Sequence, residues 1–251
     1  MREPPDIARA TAKLDEVARE LAAVPCTTCR GRLECEDLVE RHRLSEKEAA
    51  HLTREIDQVR STHWREFKAL HRILEDAHYM RGRELLARGV AIANIRTTNE
   101  LMAAECVASG LLENLSAIEM ATVVSCLVAE PPRGRQSWHP LPYRDGVYQI
   151  CRQIALAGRD LLRLQRKHGV DQPIYLEREY AGLTQAWADG RNWADLIAAA
   201  GIDEGQLVRH FRQVIDMLWQ LREVPGVTET FHSRAREAID LLDRDIVKEV
   251  F

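Results

Sequence analysis

The chain has 251 residues, of which 45% are hydrophobic and 29% are charged, and its formal net charge is −4. This length suffices for one large domain or two small ones with a hydrophobic core. The acidic balance excludes a protein whose whole surface neutralises nucleic-acid phosphates, so any such role must rest on one local face.

The first predicted element is a helix over residues 7–23, where apolar residues recur at steps of three and four. The run 25–31, which contains proline and glycine, breaks this pattern. A very long helix is predicted over 35–77, with a narrow apolar stripe among dense Glu, Arg and Lys. This pattern is typical of a stalk or a two-helix hairpin, and residues 1–61 are predicted to form a charged helical stalk.

Three cysteines lie at the break between these helices: Cys26, Cys29 and Cys35, with His42 further along the chain. Together they offer three or four ligands to zinc. Structural zinc sites usually close with four well-spaced ligands, which this spacing does not supply. Free thiols in a tight turn are therefore the favoured alternative, and no metal site is predicted.

Residues 79–95 are predicted to be compact, because Gly82, Gly89 and the alternation around 84–86 allow a short strand or turn there. They belong to a small mixed module predicted over 62–110. The module closes with a helix over 99–109, which Thr97 or Thr98 is expected to cap.

The remaining chain, 111–251, is predicted to be a helical bundle, which makes the whole protein mainly α. A capping box opens its first helix at Ser116 and Glu119. Proline and glycine make 131–142 a loop, in which Arg133-Gly134-Arg135 either contacts RNA phosphates or, as favoured here, only connects two helices. Further helices are predicted over 143–168, 175–189, 192–200, 203–223 and 228–250.

Two tryptophans, Trp187 and Trp193, bracket a turn between two of these helices. They serve either as stacking surfaces for RNA bases or, the favoured interpretation, as anchors that pack a helix hairpin. The three remaining cysteines lie on apolar helical faces and are predicted to be buried, at Cys106, Cys126 and Cys151.

Catalytic motifs are missing from the sequence. It contains no GxxxxGKS/T phosphate loop, no DExD/H sequence, no HExxH, no GxSxG and no GxGxxG. An enzyme acting alone is therefore not expected. No stretch approaches the ~20 apolar residues of a membrane span, and the scattered cysteines suit a reducing setting, the cytoplasm or an organelle stroma.

Two segments carry a resemblance to a known family. The first, 99–130, begins Asn-Glu-Leu, continues through Gly-Leu-Leu-Glu-Asn-Leu-Ser and ends Val-Ser-Cys-Leu-Val-Ala-Glu. The second, 187–247, begins Trp-Ala-Asp-Gly, continues through Asp-Glu-Gly-Gln-Leu-Val-Arg and ends Arg-Asp-Ile-Val. In this order and at this separation, residues 65–251 resemble the C-terminal, DSHCT-type region of superkiller-like, exosome-associated DExH-box RNA helicases.

The resemblance implies an architecture and a set of partners. In that family two RecA-like domains hydrolyse ATP with Mg, and a winged-helix module joins them to a bundle whose ratchet helix crosses the RNA path. Here 62–110 would be winged-helix-like, 203–223 the ratchet helix and 1–61 a return segment of the inserted arch, so the chain is expected to be a fragment of a longer helicase. The implied partners are single-stranded RNA, the RecA-like core of the same parent protein and RNA-decay or RNA-processing proteins; ATP and Mg belong to the parent alone.

The residues of 203–223 suit such a helix in their own right. An apolar stripe at helical spacing predicts its buried face: Leu207, Phe211, Val214, Leu218 and Leu221. The opposite face gathers polar groups suited to phosphates and base edges. The predicted RNA-binding residues are Arg209, Arg212, Gln213, Asp216 and Gln220.

Two other functions compete with RNA guidance. The acidic balance and the charged helix near residues 36–60 favour a helical protein-interaction scaffold that makes no RNA contact. A winged helix that reads duplex DNA is a third option, against which the net charge and the lack of a basic recognition helix argue.

Overall fold

The computed structural model describes residues 5–93, 95–130 and 140–248. In these three ranges the chain forms ten α-helices and a single two-stranded sheet, so the predicted mainly α class is confirmed. The chain divides into two compact units, here called the first unit (1–65) and the second unit (66–251). The predicted boundaries at residues 61 and 110 stay predictions.

The first unit contains helix α1, Pro5–Ala23, a 3-10 turn at Pro25–Thr28, and the start of helix α2, Arg32–Asp76. Both helices follow the predicted periodicity. Ion pairs one turn apart, such as Arg41 with Asp37 at 2.7 Å, line the surface of α2. Such exposed pairs contribute only a few tenths of a kcal/mol each, so they support the helix without a core.

The second unit begins its globular part with a tight hairpin. Strand β1, Met80–Arg81, pairs antiparallel with β2, Glu84–Leu85, and α3 follows at Ala87–Ile92. Gly89 is required here, because a Cβ at this position would lie 2.1 Å from the carbonyl oxygen of Tyr79. Within the predicted range 79–95, the short strand and turn are thus found at 80–85, whereas residues 87–92 form the helix α3, which the sequence did not predict.

A partly buried polar cluster joins this hairpin to the next helix, α4, at Glu100–Ala108. The Tyr79 hydroxyl donates to Oε2 of Glu105 at 2.6 Å, and Nη2 of Arg88 lies 2.9 Å from both carboxylate oxygens of Glu105. Burial, followed by the Glu105 bond, raises the pKa of Tyr79 well above its ordinary value. The cluster thus holds the hairpin against the bundle.

Helix α5 lies at the centre of the bundle and packs against α7, α9 and α10. The predicted capping box is confirmed: the Ser116 hydroxyl accepts from the Glu119 amide, and the Glu119 carboxylate accepts from the Ser116 amide. These bonds lower the pKa of Glu119. The helices of the bundle after α4 are α5 Ala117–Val128, α6 Asp145–His168, α7 Ala181–Ala188, α8 Trp193–Ala200, α9 Glu204–Arg222 and α10 Glu229–Leu242.

The helix predicted over 175–189 begins only at Ala181, as α7. The residues before it form no helix, because their backbone bonds to other elements. The amide of Glu177 donates to the carbonyl of Cys126 at 3.0 Å, and the Asn99 side chain donates to the carbonyl of Tyr175 at 2.8 Å. These long-range bonds replace the helical bonds that the sequence pattern predicts.

Two other predicted helix ends are wrong. The helix predicted over 228–250 ends at Leu242, because the indole of Trp187 donates to the Leu242 carbonyl at 2.9 Å and Asp245 turns the chain with φ of 50°. The cap of α4 is Asn99, not a threonine. Its side chain makes no capping bond there, since its amide reaches Leu127 and Tyr175 instead.

The cysteines separate into two groups. Cys106, Cys126 and Cys151 are buried, as predicted, and the Sγ atoms of Cys126 and Cys151 lie 4.0 Å apart. The loop sequence Arg133-Gly134-Arg135 lies outside the described residues.

Candidate functional site

Helix α9 matches the helix predicted over 203–223. Asp203 is its N-cap and accepts from the amide of Gln206 at 2.9 Å, and Glu204 follows in the first turn, where the helix dipole favours negative charge. The predicted apolar stripe is confirmed as the buried face, with every member fully buried: Leu207, Phe211, Val214, Leu218 and Leu221.

An open groove of about 1170 Å³ runs along the opposite side of α9. The segment 96–98 before α4 and the segment 243–247 after α10 contribute its other walls. Four of the five predicted RNA-binding residues line this groove: Arg209, Arg212, Gln213 and Asp216.

The two arginines of α9 differ in their surroundings. Arg212 is exposed, but its Nε donates to the carbonyl of Val247 at 3.2 Å and so ties α9 to the end of the chain. Arg209 is exposed and forms no ion pair or hydrogen bond within the described part of the chain. Arg209 is therefore the cation of α9 most available to a ligand in the groove.

Gln220, the fifth predicted RNA-binding residue, is held by hydrogen bonds within the protein. Its Oε1 accepts from the backbone amide of Arg96 at 2.5 Å, and its Nε2 donates to the Arg96 carbonyl at 3.1 Å and to Oδ2 of Asp216 at 2.9 Å. The side-chain amide has two N–H donors, so both are used inside the protein. Gln220 thus fixes one wall of the groove, and it does not itself line the groove.

The charges around the groove are balanced. Three arginines line it, and so do three carboxylates. Two of these carboxylates have partners on the protein, since Asp216 accepts from Gln220 and Glu204 accepts from the indole of Trp193 at 3.1 Å. The groove is therefore neither an acidic face nor a strongly basic one. Its charged residues are Arg96, Arg209, Arg212, Glu204, Asp216 and Asp243.

Trp219 is a lining residue that the sequence reasoning missed. Its side chain is 44% exposed, and the guanidinium carbon of Arg222 lies 3.9 Å from the centre of its ring. A large exposed aromatic ring on a helix is a stacking surface for a flat ligand. The sequence does contain a signal that Trp219 lines the groove. Trp219 follows Arg212 by two helical turns and therefore lies on the same face of α9.

A serine and a histidine meet behind α9, but they do not form a catalytic pair. Nε2 of His210 lies 2.7 Å from Oγ of Ser125, which in turn accepts from Thr184 at 2.8 Å. The His210 ring stacks on Tyr180 at 4.0 Å. Burial lowers the pKa of His210 to about 3, so the ring is neutral and inaccessible to a substrate.

The tryptophan pair is confirmed as a packing feature. Trp187 is fully buried and stacks on Phe211, with ring centres 5.9 Å apart, while Trp193 meets its edge at 5.4 Å. The Arg244 guanidinium covers the other side of Trp187 at 3.3 Å. Since no face of Trp187 reaches solvent, it cannot stack on a base.

Cys26, Cys29 and Cys35 are exposed free thiols. Across residues 5–93, 95–130 and 140–248, the structure brings together no group of three or more His, Cys, Asp or Glu side chains that would hold a metal ion. The zinc hypothesis thus has no geometric support. In the same ranges, every helix is too short or too polar to cross a membrane.

Comparison with known proteins identifies what the second unit resembles. A family model described as the DSHCT (NUC185) domain matches residues 82–250. The chloroplastic DExH-box ATP-dependent RNA helicase DExH15 of Arabidopsis thaliana is 26% identical over 218 residues, which cover 84% of this chain and 18% of that protein.

Two further relatives carry related names. The probable helicase HelY of Mycobacterium leprae (strain TN) is 25% identical over 226 residues, 83% of this chain and 24% of that protein. The exosome RNA helicase MTR4 of Homo sapiens is 24% identical over 195 residues, 72% of this chain and 18% of that protein. The chain therefore spans no more than a quarter of the length of these relatives.

Proposed function

Because this chain belongs to the DSHCT (NUC185) domain family, we propose that it is an accessory region of an ATP-dependent DExH-box RNA helicase, and that it guides single-stranded RNA along the α9 groove. The observation that carries this proposal is the groove itself. It presents an available guanidinium at Arg209 and an exposed ring at Trp219 on the same helical face.

Five of the residues that line the groove have chemical roles in this proposal. The guanidinium groups of Arg209 and Arg212 bind phosphates, which are the dominant source of affinity for RNA. Trp219 stacks on a base, an interaction that any base can make. Gln213 and Asp216 offer an amide and a carboxylate to base edges or ribose hydroxyls. Binding by so few cations is weak, sensitive to salt and tolerant of sequence.

The motor lies elsewhere in this proposal. ATP and Mg act in the RecA-like core of the parent helicase, and this chain couples RNA position to the motion of that core. RNA-decay or RNA-processing proteins are the further partners we propose, because the human relative is named as an exosome RNA helicase. The proposed setting is the cytoplasm or an organelle stroma, and the Arabidopsis relative is named as chloroplastic.

A protein-interaction scaffold is the second candidate function. The first unit favours it, because apolar side chains such as Leu14, Leu38 and Ile56 are 69%, 56% and 51% exposed there. Exposed apolar stripes of this length mark surfaces that other proteins cover. The balanced charge of the α9 groove is compatible with both candidates.

Fluorescence anisotropy with a labelled uridine oligomer tests RNA guidance by the full chain. We expect Trp219→Ala to weaken binding about tenfold, since a stacked base contributes ~1–3 kcal/mol. Arg209→Gln is expected to reduce the steepness of the salt dependence by about 0.7, the value for one phosphate contact of a single strand. Arg209 is preferred to Arg212, whose loss would also free the end of the chain.

The matched control is Arg234→Gln on α10, an exposed arginine that pairs with Glu237 at 2.8 Å. This variant is expected to bind RNA like the unaltered chain. If Trp219→Ala and Arg209→Gln bind RNA as tightly as the control and the unaltered chain, the groove is excluded as the RNA site. If the unaltered chain does not bind RNA at low salt, the scaffold function is favoured.

A further inference from the structure

Helix α6 presents a basic stripe to solvent. At ~100° per residue, four of its arginines fall within an arc of about 60°, along one side of the helix. The stripe, here called the α6 stripe, consists of Arg152, Arg159, Arg163 and Arg166, with Tyr148 and Leu156 among them.

The α6 stripe lies away from the core. The buried face of α6 is a separate line of residues that includes Val147, Ile154 and Leu161. All four arginines of the stripe are exposed, and so are Tyr148 at 44% and Leu156 at 53%. The stripe therefore offers apolar surface and positive charge together over about 27 Å of helix.

The local charge contrasts with that of the whole protein. Helix α6 carries five basic and two acidic residues, whereas the chain has a formal net charge of −4. The helix dipole explains the presence of Arg166 and Lys167, because they lie in the last turn, where it favours positive charge. It does not account for Arg152 and Arg159, which lie further than one turn from that end.

The ion pairs and hydrogen bonds of these arginines indicate which of them are available to an external anion. Arg163 pairs with Asp160 at 2.5 Å, and Nε of Arg166 donates to the Leu162 carbonyl. Within the described part of the chain, Arg152 and Arg159 form no ion pair or hydrogen bond. Two arginines about 10 Å apart on a rigid helix are thus available to a ligand with regularly spaced negative charges.

The exposed ring of Tyr148 favours a nucleic acid over an acidic peptide as the ligand of the α6 stripe. The guanidinium of Arg178 lies 5.7 Å from the ring centre of Tyr148, which extends the positive surface beside an exposed ring. Phosphates need cations, and bases need flat apolar groups on which to stack. An acidic peptide would use only the cations and would leave Tyr148 and Leu156 uncovered.

We infer that the α6 stripe is a second binding surface for single-stranded RNA, distinct from the α9 groove. Arg152, Arg159 and Arg163 bind consecutive stretches of the phosphate backbone, and Tyr148 stacks on a base. This inference rests on the proposed function only in taking RNA as the ligand, because none of its residues lines the groove.

The test is anisotropy of a labelled 30-nucleotide uridine oligomer with the full chain and two double variants. We expect Arg152→Gln with Arg159→Gln to weaken binding about tenfold and to reduce the salt slope by about 1.4, since each phosphate contact of a single strand contributes about 0.7. The matched control is Arg234→Gln with Arg236→Gln on α10, both exposed and each paired with a glutamate. It is expected to bind like the unaltered chain.

The outcomes separate this inference from the α9 groove. A loss in the α6 variant together with unchanged binding by Arg209→Gln and Trp219→Ala supports the stripe and rejects the groove. Unchanged binding by the α6 variant overturns the stripe, whatever the groove variants do. Equal loss in the α10 control also overturns it, since the effect would then be one of net charge. Tighter binding of labelled polyglutamate than of RNA would overturn it as well.

Discussion

The first unit and the second unit are both helical, yet leucines that are exposed in the first unit contrast with leucines that are buried in the second. In the first unit Leu14, Leu33 and Leu52 are 69%, 80% and 50% exposed. In the second unit Leu127, Leu183 and Leu218 are fully buried. The difference teaches that helical periodicity alone forms α1 and α2, whereas the bundle around α5 depends on contacts between elements distant in sequence.

The largest expected effect compares matched leucines of the two units. Leu127→Ala, in the last turn of α5, is expected to destabilise the bundle by about 3 kcal/mol, because it leaves a cavity among α5's neighbours. Leu52→Ala on α2 is expected to change the same transition by less than about 0.5 kcal/mol. Urea unfolding followed by tryptophan fluorescence measures both. Similar losses would mean that the stripe on α2 is buried in solution.

A smaller effect is expected from pH, and it concerns the buried His210 of the second unit. The pKa of His210 falls from 6.5 to about 3 because the ring is buried. At pH below 6.5 the unfolded chain takes up a proton that the folded chain does not, so stability decreases with falling pH by ~1.4 kcal/mol per unit.

At pH 5 the expected loss attributable to His210 is therefore about 2 kcal/mol, and above pH 6.5 this residue contributes no pH dependence. Urea midpoints between pH 5 and 8 measure it. His210→Gln is expected to remove much of the slope. A slope that survives His210→Gln would assign the effect to other groups.

The smallest expected effect concerns a helix cap. Ser116→Ala removes the capping bond to the Glu119 amide and is expected to cost about 1 kcal/mol in the unfolding of the bundle. Ser45→Ala, in the middle of α2, is expected to change that transition by no more than a few tenths of a kcal/mol. Differential scanning calorimetry of both variants provides the comparison. Equal shifts would argue against the capping box as the source of stability.

What the sequence predicts well is local. The three- and four-residue spacing of apolar side chains located α1, α2 and the buried face of α9, and the Ser-Ala-Ile-Glu sequence located the start of α5. The non-helical stretch before α7 was missed, because its backbone bonds join it to residues as distant as Asn99 and Cys126. No local pattern carries such information.

The candidate site shows the same division. Spacing alone brought Arg209, Arg212, Gln213 and Asp216 to one face, and these four line the groove. The sequence did not reveal that Gln220 would bond to Arg96, which is 124 residues away, or that the segment 243–247 would form a wall. Trp219 was missed because the apolar character of tryptophan predicts burial, while its position in the helix turns it outward.

Photo-crosslinking tests the central claim of RNA guidance most directly. A uridine oligomer that carries 4-thiouridine would be bound to the full chain, irradiated and mapped by mass spectrometry of the crosslinked peptides. If α9 guides RNA, crosslinks are expected within 204–222 and are expected to decrease in Trp219→Ala. Crosslinks confined to residues 5–65, or a pattern in 204–222 that Trp219→Ala leaves unchanged, would contradict it.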